Sequence, residues 1–200
     1  MANIDWPSGL IIGEYQIRPV RTVPLQRGAY SMAESSIDFA GDLWKAEYTL
    51  RHMTLEAAGR LRAWCLDIVE PGNRGRIYTP LGTRGVLGTC DADNLSASAA
   101  VAGAGTISAS GASNGQTLLS GSYLSISSHL YMVRSDVTFS GTTEIPIWPR
   151  LREAHGGGQT VRLTNARSVW KLAGNEIPDF GRLSKNLEEP LTLKLEEALR

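Results

Sequence analysis

The sequence contains three histidines, the residue type best suited to act as a general base or a metal ligand. His52, His129 and His155 each lie more than four residues from any other histidine or cysteine, so none has the close ligand spacing of a zinc site. His155 precedes three glycines and resembles part of the oxyanion loop of lipases. We interpret His155 as a loop residue beside flexible glycines. A hydrolase that uses it with an unidentified nucleophile is an alternative.

Acidic pairs are the other groups that could bind a metal or transfer a proton. Asp91 and Asp93 resemble the start of a calcium-binding loop, but Ser96 and Ala102 occupy the places of its glycine and its closing glutamate. Glycoside hydrolysis needs two carboxyl groups that face each other across a sugar, and a sequence cannot show that arrangement for the two Glu-Glu pairs near the carboxyl end. We predict a polar turn and a solvated face, with no metal site.

The glycines at 103 and 105 do not form a phosphate-binding loop. No Gly-Lys-Ser or Gly-Lys-Thr sequence follows Gly103-Ala104-Gly105, and the run lacks the preceding strand and following helix of a dinucleotide site. We therefore predict no catalytic residues, no cofactor and no enzymatic activity.

Tryptophans are more informative than the ionisable residues. Trp44 and Trp64 occupy core positions of a predicted strand and a predicted helix. Trp148 lies between two prolines, Pro146 and Pro149, which end a strand and force an extended run. Trp148 either anchors an interface, since Trp and Arg dominate binding hot spots, or closes the end of a barrel.

Charge and composition exclude several classes of partner. The 20 Lys and Arg residues balance the 20 Asp and Glu residues, and phosphate binding needs a basic surplus, so nucleic acid is not an expected partner. No apolar run approaches the roughly 18 residues of a membrane span, and no signal peptide is recognisable at the start, so no membrane partner is expected. Cys65 and Cys90 are expected to be free thiols, made in a reducing cytoplasm.

The clearest secondary-structure signals lie between residues 44 and 79. In residues 44–50 apolar side chains alternate with polar ones, which is the period of a half-buried strand. Residues 54–69 are predicted to form a helix capped by Thr54. A short strand at 76–79 follows it. The apolar stripe of the helix is Leu61, Trp64, Cys65 and Ile68.

The rest of the chain reads as short strands. Residues 96–113 consist almost wholly of Ser, Ala, Gly and Thr, and this segment is either a mobile linker or a strand that allows close approach. The carboxyl-terminal residues 190–200 are predicted to form a strand that ends in a short helical turn. Further strands are predicted at 15–20, 36–40, 117–119, 123–126, 130–133, 136–139, 143–148, 159–163 and 168–172.

These elements predict a mainly β (α+β) fold. We expect an antiparallel β-barrel or sandwich with one covering α-helix and extended arms. Residues 1–35 are expected to form an amino-terminal arm that is dispensable for folding, and 36–82 a strand–helix–strand unit. Residues 83–116 are the small-residue segment, and 117–200 supply barrel strands that pack with 36–82 as one domain.

The order of these motifs resembles the small tail-tip and distal-tail (baseplate) proteins of long-tailed bacteriophages and prophages. The resemblance covers roughly residues 35 to 172. It rests on six motifs in order: a Trp-led strand, a helix, a Gly-Arg strand, a Gly-Ser turn with the strand after it, a strand ending in Val, and a strand followed by Pro-x-Leu-Arg. These motifs are Gly41-Asp42-Leu43-Trp44-Lys45-Ala46, Leu55-Glu56-Ala57-Ala58 through Leu61 to Trp64, Gly75-Arg76-Ile77-Tyr78, Leu119-Ser120-Gly121-Ser122-Tyr123-Leu124-Ser125-Ile126, Leu130-Tyr131-Met132-Val133 and Ile147-Trp148-Pro149-Arg150-Leu151-Arg152.

The resemblance implies a structural virion protein. Such proteins form rings, of six or three copies, that connect the tail tube to the hub and receptor-binding parts, and they have no catalytic residues. The chain would be made in the host bacterial cytoplasm and located in the virion tail. It departs from larger relatives in having no room for a separate carbohydrate-binding domain, and Ser122 stands where related sequences often have Asp.

The predicted contact residues follow from this interpretation. A carbohydrate-binding β-sandwich, with Trp148, Tyr123 or Tyr131 as a stacking platform, is the first alternative, ahead of the hydrolase. The interface candidates are Trp6, Tyr15, Ile17, Val101, Ile107, Trp148, Arg150 and Arg152. The core candidates are Trp44, Tyr48, Leu61, Trp64 and Ile68.

Overall fold

The computed structural model describes residues 2–21, 25–27, 34–36, 41–51, 53–79, 85–180, 186–187 and 190–199. Its elements in chain order are β1 (Asn3–Asp5), β2 (Ile12–Val20), β3 (Leu25–Arg27), β4 (Glu34–Ser36), β5 (Leu43–Leu50), β6 (Met53–Thr54), α1 (Leu55–Val69), β7 (Arg74–Tyr78), β8 (Asn94–Ala97), β9 (Thr106–Ser110), β10 (Thr117–Leu118), β11 (Tyr123–Ile126), β12 (His129–Val133), β13 (Val137–Thr138), β14 (Thr143–Trp148), β15 (Gln159–Arg162), β16 (Arg167–Leu172), β17 (Asn186–Leu187) and β18 (Leu191–Glu197).

The fold is mainly β with one α-helix in the described part of the chain, which confirms the predicted class. The strands form two bodies. The first, which we call the sheet lobe, is a six-stranded sheet in the order β1-β7-β16-β18-β5-β2, with α1 packed on it. The second, the barrel lobe, is a closed barrel in the order β11-β12-β14-β9-β8-β15. We predicted either a barrel or a sandwich. The structure has a closed barrel beside an open sheet.

Local sequence explains the elements at the centre of the sheet lobe. Along β5 every second residue from Trp44 to Leu50 is buried, as its period of two predicts. Helix α1 begins where the hydroxyl oxygen of Thr54 accepts a hydrogen bond from the Ala57 N–H at 3.2 Å. Strand β7 lies so close to the helix that a Cβ on Gly75 would come within 2.2 Å of the Trp64 ring, which is why a glycine is needed there.

The barrel lobe explains the segment of small residues. Strand β9 lies within residues 96–113 and β8 ends inside them at Ala97, so the strand interpretation holds for these two stretches and the linker interpretation does not. Ala97 and Ala109 pair with each other across the two strands, and both are buried in the barrel core. Small side chains at these positions let the strands of a narrow barrel close around their interior.

The lobes divide the chain differently from the predicted domains. Strands β1 and β2 are integral to the sheet, so residues 3–20 are not a detached arm. Trp6 packs its ring against Tyr48 and Trp64, with centroids 6.4 and 5.0 Å apart, and removing it would open the core. Strands β16 and β18 join β5 and β7 rather than the barrel.

Two predictions concern stretches at the limits of the described residues. The predicted strand at 36–40 lies outside them except for its first residue, where β4 ends. The carboxyl-terminal strand is present as β18, and no helical turn follows it among the described residues 198–199. Within the described residues, no helix combines the length and the apolar character that crossing a bilayer requires.

Candidate functional site

Aromatic rings join the two lobes. The Trp44 ring, on the buried face of β5, lies 4.7 Å from the Trp148 ring in an edge-to-face arrangement and 5.8 Å from the Tyr123 ring. Its indole N–H donates to the main-chain carbonyl of Leu130 at 2.8 Å. Since Tyr123, Leu130 and Trp148 belong to barrel strands, Trp44 ties the sheet to the barrel.

A buried ionic network lies beside these rings. The carboxylate of Glu197, at the end of β18, is fully buried. It accepts hydrogen bonds from the Arg152 guanidinium at 2.8 Å and from the main-chain N–H of Trp44 at 3.3 Å. The His129 ring lies between two carboxylates, with Nδ1 3.5 Å from Glu197 and Nε2 3.4 Å from Glu153. The network therefore crosses from the sheet lobe to the barrel lobe.

The centre of the network is the buried ion pair between Arg152 and Glu197, in which each charge faces its opposite. Three buried polar atoms around it have no hydrogen-bond partner among the described residues, namely His129 Nδ1, Arg152 Nε and Glu197 Oε1. Tyr131 accepts a hydrogen bond from the Arg152 N–H at 3.0 Å, and burial raises the pKa of its phenol well above the usual value. No serine, threonine or cysteine of the described chain bonds to His129, so this histidine activates no nucleophile in the structure.

This network was not predicted from the sequence. Its three central residues are spread over the chain, and Glu197 had been interpreted as part of a solvated face. That interpretation is wrong for Glu197, which is 2% exposed. Its position in an alternating strand was the available signal, because Leu193 and Leu195 place the odd-numbered residues of β18 on the buried face.

The hydrolase alternative finds little support in the geometry. His155 bonds through Nδ1 to the carbonyl of the adjacent Gly156, at 3.1 Å. The nucleophile motif that a lipase-like His155 would accompany, Gly-x-Ser-x-Gly, does occur at residues 111–115. Ser113 lies in the connection between β9 and β10, however, and not at the strand-to-helix turn that exposes the nucleophile of a hydrolase.

The other chemically active side chains have structural partners. Asp93 accepts a hydrogen bond from the Thr164 hydroxyl at 2.8 Å, and Asp91 accepts one from Gln116. The described residues contain no group of three or more potential metal ligands. Both cysteines are buried and unpaired, and burial raises the pKa of the Cys65 thiol to about 12, which leaves it unreactive.

The predicted core residues are buried, whereas the predicted interface residues differ in exposure. All five core candidates are buried. Among the interface candidates, Ile107 lies in the barrel interior and Arg152 in the ionic network, so neither is available to another chain. Trp6, Ile17 and Trp148 are half-buried. The exposed candidates are Tyr15, Val101 and Arg150.

Strand β2 forms an open edge of the sheet. It is the last strand in the order, and in the described chain it pairs with β5 alone. Tyr15 and Ile17 lie opposite Tyr48 and Ala46, so they extend the buried face of β5 towards solvent. Tyr15 is 39% exposed, and Ile11, just before the strand, is 77% exposed. The apolar core therefore reaches the surface at this edge.

The comparisons with protein-family models and curated proteins supply no function for this chain, so function has to be argued from the geometry. No protein-family model matches the chain, and a search of curated proteins finds no match.

Proposed function

We propose that this chain is a structural protein of a bacteriophage tail tip or baseplate. In this proposal it assembles into a ring that connects the tail tube to the hub and receptor-binding parts. The proposal combines the resemblance in motif order with one structural observation, the open and partly apolar edge at β2.

The edge supports assembly because the outward-facing main-chain N–H and C=O groups of β2 have no strand to pair with in the described chain. Monomeric proteins blunt their edge strands to prevent pairing with other chains. Strand β2 has a bulge between Ile12 and Glu14, Pro19, and two charged residues, Glu14 and Arg18, that pair with Arg51 and Glu47 of the same chain. The short stretch from Tyr15 to Ile17 remains for main-chain pairing. A head-to-tail contact repeated around a closed ring would cover this edge in every copy.

The barrel lobe supports the same function in another way. Its strands are all paired within one chain, so it supplies a rigid body without an open edge of its own. Obligate ring interfaces commonly bury about 2,000 Å² or more, and the exposed apolar residues near β2 would contribute to such an area.

The test is a pair of lysine substitutions at the exposed edge. We expect Ile11→Lys with Tyr15→Lys to convert the ring to monomers, because two charges would be buried without partners at the contact. Size-exclusion chromatography with light scattering measures the change, and circular dichroism shows whether the monomer stays folded. Leu66→Lys is the matched control, since Leu66 is 51% exposed on the helix.

Two outcomes would contradict the proposal. One is a wild-type protein that stays monomeric at high concentration and is absent from purified phage tails by mass spectrometry. The other is a double variant that assembles as well as the wild type. A truncation of residues 1–30 is unsuitable as a test, because it would remove two strands of the sheet.

A further inference from the structure

The sheet lobe has a second end strand, β1, at the opposite end of the strand order from β2. In the described chain β1 pairs with β7 alone. The pairing of β1 with β7 is parallel and the other pairings across the sheet are antiparallel, so β1 and β2 run in the same direction. A second copy that continued the sheet with the same face inward would therefore place its β1 parallel to β2.

In β1 the outward-pointing main-chain groups belong to Asn3 and Asp5. The main-chain groups of successive residues in a strand point alternately to its two sides. The Trp6 N–H donates to the Arg76 carbonyl of β7 at 3.1 Å, so the even-numbered residues face β7. The N–H and C=O groups of Asn3 and Asp5 therefore point away from the sheet.

In β2 the outward-pointing groups belong to Tyr15 and Ile17. The N–H of Ala198, just after β18, donates to the Val169 carbonyl of β16 at 3.0 Å, so the odd-numbered residues of β18 face β5. They lie opposite the even-numbered residues of β5, which leaves the odd-numbered residues of β5 facing β2. The partners of these are the even-numbered residues of β2, so Tyr15 and Ile17 point away from β5.

The side chains of the two end strands match in the same phase. Ile4 and Ile17 are both half-buried against the core of the sheet lobe, so they lie on the same face of the sheet. With Ile17 of one copy beside Ile4 of the next, the apolar face continues across the junction. The same register lets Asn3 and Asp5 bond to the outward main-chain groups of Tyr15 and Ile17.

Charge favours this register over a slipped one. Within one copy Asp5 bonds to Arg76 and Arg18 bonds to Glu47, and the side chains of Asp5 and Arg18 are both more than half exposed. With Ile4 beside Ile17, Asp5 lies beside Arg18, and the four groups form a row of alternating sign across the junction. A slip by two residues would place Asp5 beside Gln16 and break this row.

We propose that β2 of one copy pairs in parallel with β1 of the next, so that the six-stranded sheet continues from copy to copy. This pairing rests on the ring proposed above and names the segment of the neighbouring copy that meets β2. It joins two different surfaces of the chain, as a ring requires. The alternative, β2 paired with β2 about a twofold axis, would close a dimer and leave β1 uncovered in both copies.

Engineered disulfides test the pairing. Asn3 and Gln16 of neighbouring copies would lie side by side, within the Cα separation that a disulfide spans. We expect oxidised Asn3→Cys/Gln16→Cys protein to form a ladder of cross-linked copies on a non-reducing gel, which a reductant collapses to one band. Both residues are exposed, so the substitutions leave the core intact, and the two native cysteines are buried.

Matched variants test the register and the alternative. Asp5→Cys/Gln16→Cys uses the same two strands with an offset of two residues, which a disulfide cannot span. We expect this variant to give about tenfold less cross-linked product than Asn3→Cys/Gln16→Cys. Gln16→Cys alone tests the twofold contact, because each Gln16 would there lie opposite the Gln16 of the other copy.

Three results would overturn the proposed pairing. One is an assembled, folded Asn3→Cys/Gln16→Cys protein that cross-links no more than its offset control. The others are a ladder formed by Asp5→Cys/Gln16→Cys instead, and cross-linked dimers formed by Gln16→Cys alone. Assembly without the expected ladder would leave the connector function standing and assign β2 a different partner, whereas a monomeric wild-type protein would contradict both proposals.

Discussion

The barrel lobe takes its strands from one continuous stretch, residues 94–162, whereas the sheet lobe joins strands from both ends of the chain. The barrel closes on itself, so every one of its strands has a partner on both sides. The sheet ends in β2, where the described chain supplies one partner. In the proposed ring, the closed body would provide rigidity and the open edge would provide the contacts between copies.

The two cores differ in the size of their side chains. The sheet core holds the large indole rings of Trp44, Trp64 and Trp170. The barrel core is mostly aliphatic, and in it Ala97 and Ala109 face each other across two strands. A sheet covered by a helix has room for indole rings, whereas a narrow six-stranded barrel needs small residues where its strands approach each other. Substitutions should therefore act differently in the two lobes.

The largest effect is expected where the lobes meet. Replacing Arg152 by Met leaves the fully buried Glu197 without its cation, which should lower the free energy of unfolding by about 3–5 kcal/mol. The double variant Arg152→Met, Glu197→Leu should recover most of the loss, because a well-packed apolar pair can replace a buried ion pair. Urea unfolding followed by tryptophan fluorescence measures both. Equal losses in the single and double variants would mean that the network does not hold the lobes together.

An intermediate effect is expected inside the barrel. Ala109→Leu adds volume to a site with no exposed surface and should cost about 1–3 kcal/mol through overpacking. Ala102→Leu, on an exposed residue between β8 and β9, should stay within about 0.5 kcal/mol of the wild type. Thermal and urea unfolding of the two variants test the contrast. If Ala109→Leu proves as stable as the control, small residues are not what lets the barrel close.

The smallest effect is expected at the far edge of the sheet. Arg76 donates to the Asp5 carboxylate at 2.7 Å, and this hydrogen bond holds the pKa of Asp5 below its usual value. Because the folded pKa is lowered, the pair stabilises the protein above the unfolded pKa of about 3.9, and the contribution is lost as the pH falls through the folded pKa.

Arg76→Gln should remove this contribution. The Asp5 side chain is 60% exposed, so we expect a loss below about 1 kcal/mol at neutral pH and none in strong acid. Urea unfolding at the two pH values and at low salt measures it. A loss of the same size at both pH values would attribute the effect to packing of the arginine rather than to the ion pair.

Several elements could be predicted from sequence because their signals are local. The alternation along β5 and the stripe from Leu61 to Ile68 are complete within one element, and the Thr54 cap marks where the helix begins. The segment 96–113 could not be assigned, because Ser, Ala and Gly have no strong strand preference. Its strands form because they pair with neighbouring barrel strands, and their small side chains fit the narrow barrel interior.

The candidate site was harder to predict than the fold. Trp148 and Arg152 attracted attention as contact residues, but no pattern in the sequence placed Trp148 beside Trp44 or Arg152 beside Glu197. The junction between the lobes is formed by residues from separate segments, and no spacing in the chain marks them as neighbours. The ionic network was missed for the same reason, since 45 residues separate Arg152 from Glu197.

The sequence by itself determined the class of the fold and the position of the helix and most strands. Only the tertiary structure decided that the strands divide between a closed barrel and an open sheet, and that β16 and β18 return to the amino-terminal strands. The physical reason is that element type follows from side-chain periodicity and caps within a few residues. Pairing between distant strands depends instead on the total surface buried and hydrogen bonds completed, which the whole chain decides together.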